Sequence, residues 1–294
     1  MQNPSIKNLF SKNTIPVPTI EHIRYLQDLE QQQVLSKSLF DPGLKNEFLN
    51  SYFHWIQSSS LNRLEGISSF SNLSYVHGTS QAFDLFYAAN NGRRFRCFKG
   101  EFIYHRLSWR NNYSFKFIED GELTASDAMV MSLPFSNTGN VHPDAERILS
   151  ECEEKNIPVL IDCAYYGIAR NIFFNLNYSC IKVITFSLSK IFYGLDRFRI
   201  GIRCKRNFDD DPIDVFNSYD MFNKPGAAVG LEFIKHYPAD YNQQTYHAKQ
   251  LEICAAHNLT ASNCVIFGLS THDYPEFNRG GDLNRVCISN ALVN

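Results

Sequence analysis

The sequence is short of most features that mark a specialised chain. Its 28 Lys and Arg against 30 Asp and Glu leave a net charge of −2, so no overall basic field draws it toward nucleic acid or an anionic membrane. No stretch approaches the roughly 18 apolar residues of a membrane span. The amino-terminal MQNPSIKNLFSKN is polar and lacks the apolar core of a signal peptide. The eight cysteines (97, 152, 163, 180, 204, 254, 264 and 287) form no C-x-x-C pair and no Cys/His cluster at zinc-finger spacing, which argues against a disulfide scaffold or a structural metal. These absences predict an unexported protein of the reducing cytoplasm, in which the N-x-[ST] sequons beginning at Asn72, Asn112, Asn177 and Asn258 carry no weight. There is no G-x-G-x-x-G, no P-loop and no G-x-S-x-G, which leaves little support for a nucleotide-dependent enzyme or a serine hydrolase. The histidines are scattered, so no metal site is expected, and His77 is read as a packing or hydrogen-bonding residue.

What is present is a chain of 294 residues, 44% hydrophobic, long enough for one large domain or two modest ones. Its aromatics, 24 Phe and 15 Tyr, read chiefly as core. Residues 127–133 (DAMVMSL) form a short apolar run ending in the turn-like PFSNTGN. Residues 143–156 then place Ala145, Ile148, Leu149 and Cys152 on one face of an amphipathic helix. The continuous apolar runs IPVLID (157–162) and KVITFS (182–187) are typical of strands buried on both faces of a parallel sheet. Further strands are predicted at 94–98, 114–118, 199–204, 264–270 and 285–289, and helices at 81–91, 226–236 and 239–257, with a charged loop at 207–212. The first 60 residues lean toward helix. The pattern is α/β: a large domain with a mostly parallel central sheet flanked by helices (40–238), and a small α/β domain with an amino-terminal arm built from the chain termini (1–39 and 239–294).

Four features could carry chemistry, and each has an ordinary alternative. Asp162 ends a buried strand, where open α/β sheets bind ligands, but a carboxylate there can equally cap a helix. Lys190, in Ser187-Leu188-Ser189-Lys190, could simply be solvated. Gly78-Thr79-Ser80 before a helix offers backbone N–H groups and hydroxyls to a phosphate, or serves only as a cap. Arg197 and Arg199 could clamp an anion or decorate an edge.

Their order is what carries information. A phosphate-cradle turn, a strand-ending Asp162-Cys163-Ala164-Tyr165, then Ser187-Leu188-Ser189-Lys190 and an Arg before Ile200-Gly201 resemble the fold-type I pyridoxal-phosphate enzymes of the aspartate aminotransferase superfamily, over roughly residues 74–289. The first motif resembles the family's D-x-A-Y and the second its S-x-S-K. The resemblance implies pyridoxal 5'-phosphate as cofactor, held by Lys190 as a Schiff base, with Lys190 also moving the substrate α-proton. It implies Asp162 as partner of the ring nitrogen, since a buried carboxylate raises that nitrogen's pKa, and Tyr165 as donor to the ring 3-oxygen. It assigns the phosphate to Gly78, Thr79, Ser80, Ser187 and Arg199. Phe102 of Gly100-Glu101-Phe102 would cover the ring, with Tyr104 as the alternative, and Arg285 would anchor the substrate carboxylate in preference to Arg279.

Two departures from the family pattern stand out. The family's N-P-x-G turn is here Ser136-Asn137-Thr138-Gly139, so either Ser136 or Asn137 could meet the cofactor, and Asn137 is counted among the cofactor residues. The chain is short for the superfamily, which predicts an abbreviated amino-terminal arm and small lobe. The resemblance further implies an aminotransferase acting on an amino acid and a 2-oxo acid, as a homodimer without nucleic-acid or membrane partners. Other chemistry on the same cofactor (a lyase, decarboxylase or cyclase) or a silent cofactor-binding regulator are the alternatives.

Overall fold

The computed structural model describes residues 9–294; the first eight residues of the expected arm lie outside this range. Helices α1 (Ile20–Gln31), α2 (Val34–Ser38) and α3 (Leu44–Gln57) open the described chain, in keeping with its helix-leaning start. Thr19 caps α1, its hydroxyl accepting from the Glu21 backbone N–H at 3.3 Å. The helices α2 and α3 pack on α8 (Lys224–His236). Trp55 fixes that contact by donating its indole N–H to the Tyr237 carbonyl at 2.8 Å.

The centre is a seven-stranded sheet. In chain order it comprises β2 (Asn72–His77), β3 (Arg94–Cys97), β4 (Phe115–Phe117), β5 (Asp127–Ser132), β6 (Val159–Asp162), β8 (Ile181–Ser187) and β9 (Ile200–Lys205). Their spatial order is β2-β9-β8-β6-β5-β3-β4, and only β9 runs against its neighbours. The mostly parallel sheet expected from the apolar runs is therefore present. Along β5 the side chains alternate as strand geometry demands. Ala128 and Val130 pack with Phe83, Phe86, Phe95 and Trp109, beneath α4 (Thr79–Ala89) and α5 (Ile103–Asn112). Met129 and Met131 face the opposite side, where α6 (Ala145–Glu154) lays down Ile148, Leu149 and Cys152. That is the apolar face read from the sequence.

Several elements lie outside the sequence expectations, among them β2, α5, a helix at Pro212–Ser218, the short strand Thr260–Ala261 and a ribbon of Arg63–Glu65 with Phe173–Asn175. Strand β2 lies at the sheet edge, with two half-buried residues at its start, and lacks a continuous apolar run. Helix α7 (Pro212–Ser218) begins inside the charged stretch read as a loop, because Asp211 caps it, accepting from the Asp214 N–H at 3.0 Å, and Pro212 occupies its first turn. A parallel ribbon pairs β1 (Arg63–Glu65) with β7 (Phe173–Asn175). After α9 (Tyr241–Ala256), an antiparallel sheet joins β10 (Thr260–Ala261), β11 (Phe267–Ser270) and β12 (Asn284–Cys287). The strand expected at 264–270 starts later, since Cys264 is spent on a bridge to Ala169. Among the described residues no helix is long and apolar enough to cross a membrane.

Candidate active site

The register of the sheet brings the motif residues to one edge. Ser132, Asp162 and Thr185 lie side by side at the carboxyl ends of β5, β6 and β8. Because β9 is reversed, its beginning meets the same edge, with Gly201 opposite Ser187 and Ile200 opposite His77. Such an edge is where open α/β sheets take ligands. It holds a cavity of about 270 Å³ whose walls include Thr79, Ser80, Phe102, Asp162, Tyr165, Ser187, Lys190 and Arg199. Eight positions read from distant motifs thus share one space.

At one end of the cavity, α4 starts immediately after Gly78. Gly78 has φ +69°, and a Cβ there would sit 2.6 Å from the Arg199 guanidinium, so glycine lets the cation close on the turn. Arg199 Nη2 donates to Ser80 Oγ at 3.0 Å. Arg197 lies on the exposed turn after Lys190 and does not line the cavity, which leaves Arg199 as the cation of this end. The Ser187 hydroxyl lies 2.9 Å from Ser189 Oγ and 3.2 Å from the Ile200 carbonyl. Unpaired N–H groups of a helix start, hydroxyls and a guanidinium together make a dianion cradle.

Asp162 forms the floor. It accepts from the Ala164 N–H at 3.1 Å and from the Thr185 hydroxyl at 3.4 Å. Burial, and then the neighbouring Glu101, push its carboxyl up to about 7, against the pull of its hydrogen bonds to Ala164, Thr185 and Thr79. Glu101 is itself buried and its carboxyl is raised by burial. Its two oxygens accept from Ser132 Oγ at 2.5 Å, Ser132 N–H at 3.0 Å and Phe102 N–H at 3.0 Å. That grip ties the end of β5 to the backbone of Phe102, whose ring lines the cavity beside Tyr104. The Tyr104 hydroxyl is turned to Asp84, 2.8 Å away.

An adjoining cavity of about 620 Å³ shares Phe102, Tyr165 and Lys190 and adds Thr14, Glu101, Arg106, Arg279 and Arg285. Arg285 on β12 is fully buried, lies over the Phe267 ring at 4.3 Å, and donates to the Ser136 carbonyl at 2.5 Å and to the Tyr165 hydroxyl at 3.4 Å. Its Nε has no partner among the described residues. Burial alone would raise the Tyr165 phenol, but Arg285, Arg279, the Thr14 hydroxyl and Lys190 outweigh it and hold the phenol below its ordinary value. Lys190 Nζ donates to the Thr14 carbonyl at 3.0 Å.

The turn after β5 places its two candidate residues differently. Ser136, with a buried hydroxyl that has no partner, lines the cavity. Asn137 does not; its side chain fills the space left by the missing side chains of Gly100 and Gly281 and donates to the Leu283 carbonyl at 3.3 Å. Sequence reading also passed over Glu101, noted only as the middle of Gly100-Glu101-Phe102, and Thr14, which lies 176 positions from Lys190 and carries no local signal. Glu101 stands among Arg96, Lys99 and Arg106 in a stretch of mixed charge and aromatics, so no local pattern sets it apart.

The comparisons agree with this geometry. The family described as aminotransferase class I and II matches residues 89–218, a span that includes Phe102, Asp162, Tyr165, Lys190 and Arg199. Solved structures of similar fold include MppP soaked with the product 2-ketoarginine, at 14% identity over 96% of this chain and 94% of that one, with a TM-score of 0.69. A double mutant of Thermus thermophilus aspartate aminotransferase follows at 14% identity, 97% and 87% coverage and a TM-score of 0.67. The histidinol-phosphate aminotransferase of Clostridium acetobutylicum gives 13% identity, 94% and 92% coverage and a TM-score of 0.62. No curated protein matches the chain. The resemblance read from the motifs thus holds at both levels: residues 89–218 match the class I and II aminotransferases, and the chain has the fold of those enzymes.

Proposed function

We propose that this chain is a pyridoxal 5'-phosphate-dependent aminotransferase that exchanges an amino group between an amino acid and a 2-oxo acid, with Lys190 as the residue that carries the cofactor. The observation that carries the reading is the single cavity in which Lys190, Asp162, Tyr165, Ser80 and Arg199 meet. The donor set suits that cofactor: an anion cradle at one end, a buried carboxyl at the floor, and at the wall a buried Ser136 hydroxyl without a partner.

Bound there, the cofactor supplies the electron sink that makes an amino-acid α-proton removable. Arg199, Ser80, Thr79 and the start of α4 would hold its phosphate, with Ser187 beside them. Asp162 would keep the proton on the ring nitrogen, a charge pairing that draws its raised carboxyl back to the ionised form. Ser136 and Tyr165 would offer hydroxyls to the ring oxygen, and Phe102 would help to keep water from the ring. Arg285, buried without a carboxylate partner among the described residues, would hold the substrate carboxylate and so orient the α-carbon toward Lys190. The Lys190 amine would take the α-proton at Nζ and return it. The homodimer and cytoplasmic location expected from the sequence belong to this proposal.

The test uses purified protein loaded with pyridoxal phosphate. The protein should be yellow, lose the colour with the right amino donor and regain it with a 2-oxo acid, and borohydride should fix the cofactor on the peptide containing Lys190. Trapping on another lysine, or no colour at all, would overturn the reading. A colour that every amino acid leaves unchanged would favour a silent cofactor-binding protein.

A further inference from the structure

We infer that Thr14 is a positioning residue of this site, its hydroxyl fixing the proton of Tyr165 while its backbone carbonyl holds the amine of Lys190. The working roles of Tyr165 and Lys190 rest on the function proposed above; the contacts themselves do not.

The segment around Thr14 is pinned on both sides. Ser11 and Cys287 exchange backbone hydrogen bonds, each 2.9 Å. Beyond Thr14, the Ile15 carbonyl accepts from the Ser289 hydroxyl at 2.7 Å and Val17 is buried. Thr14 is the residue between these anchors that reaches both groups, with Oγ1 3.0 Å from the Tyr165 hydroxyl and its carbonyl 3.0 Å from Lys190 Nζ.

A donor and acceptor inventory shows why the hydroxyl matters. The charged groups facing Tyr165 are Arg285 from β12, Arg279 from the preceding loop and Lys190 from the turn after β8. Lys12, Arg106 and Glu101 line the same cavity, and the Phe267 ring meets Tyr165 edge-on at 5.4 Å. Guanidiniums and ammoniums only donate. Both Glu101 oxygens are engaged by Ser132 and Phe102. In the cofactor-free protein, Thr14 Oγ1 is therefore the side-chain acceptor among the described residues to which the neutral phenol points its proton, a proton that would turn to the ring oxygen when the cofactor binds. When the phenol ionises, Thr14 reverses and donates, and a charge-assisted bond is roughly twice as strong as a neutral one. On balance the hydroxyl favours the phenolate, so deleting it should move the phenol's ionisation to higher pH.

Three variants decide the matter in cofactor-free protein, read by the near-ultraviolet absorbance of phenolate against pH. One phenol should ionise ahead of the others, and Tyr165→Phe should remove that step. Thr14→Val, which keeps the shape and the backbone carbonyl, should move the step upward by about one pH unit, the worth of one hydrogen bond. Thr14→Ser should leave it in place. An unmoved step in Thr14→Val, or an equal or larger movement in Thr14→Ser, would mean that Thr14 only packs and would overturn the inference. In the loaded protein, the pH at which the cofactor's absorption band changes should move in the same order among the variants. A protein that takes up no cofactor sinks the proposed function, while the phenol titration still decides the role of Thr14.

Discussion

The two ends of the site are assembled in different ways. At the proposed phosphate end Gly78, Thr79, Ser80, Ser187 and Arg199 all stand at or next to the termini of β2, β8 and β9, three strands adjacent in the sheet. At the proposed substrate end Thr14, Glu101, Arg279 and Arg285 come from a strap near the amino terminus, the β3–α5 loop, the β11–β12 loop and β12. The first end is a property of the sheet, fixed by its register. The second is a property of what is laid over the sheet, and it depends on contacts between segments far apart in the chain. Damage to one end should therefore leave the other measurable.

Lys190 lines both cavities and should break the comparison outright. Lys190→Ala is expected to cost roughly 10²–10⁴-fold or more in turnover, measured in steady state with the best amino donor, because it would remove the proposed proton-transfer group itself. Arg199→Gln should act at the phosphate end alone. Retention of pyridoxal phosphate should fall by about 10- to 100-fold, the worth of hydrogen bonds to a charged group. Retention of pyridoxal, which has no phosphate, should stay as it was. Equal losses for the two ligands would place the phosphate elsewhere.

At the other end, Arg285→Lys should raise the apparent KM for the amino donor by about tenfold, with cofactor retention unchanged, since an ammonium cannot reproduce the guanidinium fork. A KM that ignores Arg285→Lys but rises in Arg279→Lys would transfer the anchor to Arg279. The smallest effect is on stability without cofactor. The Asp162 carboxyl loses its proton near pH 7 when folded but near 3.8 in its ordinary setting, so the native state holds more protons between these values. The Asp162 contribution to stability should therefore fall as pH rises through that window and level off above it, opposite in sign to the contributions of His22 and His105, which burial pushes down to about 4 and about 3. Glu101, also raised by burial, adds a slope of the same sign as Asp162. The denaturation midpoint of the unaltered protein, taken relative to that of Asp162→Asn at the same pH, should be higher at about pH 5 than at about pH 8.

The division between the two ends also marks what could be read from the sequence. Strands such as β5, β6 and β8 declare themselves as apolar runs because both of their faces are buried. Edge strand β2 did not, and α7 was hidden in a run of acidic residues that turned out to hold its cap. Motif residues at strand ends were legible because register and spacing fix their position together. Ser136 and Asn137 were not separable, since adjacent residues in a turn point apart and only the neighbouring glycines determine which one turns inward. Thr14 was beyond reach for a simpler reason: nothing local distinguishes a threonine that meets a tyrosine 151 positions away.

The seam between the strap and the last strand has a consequence for biosynthesis. Ile15 meets Ser289 across 274 positions, so during translation the substrate end stays unfinished until nearly the whole of this sequence has left the ribosome. The cradle at the sheet edge needs nothing beyond β9 and the helices that flank it. A nascent chain halted before β12 should accordingly assemble the proposed phosphate cradle while Arg285 is still missing and Thr14 has no anchor at Cys287 or Ser289, and such long-range closure belongs to the slow part of folding.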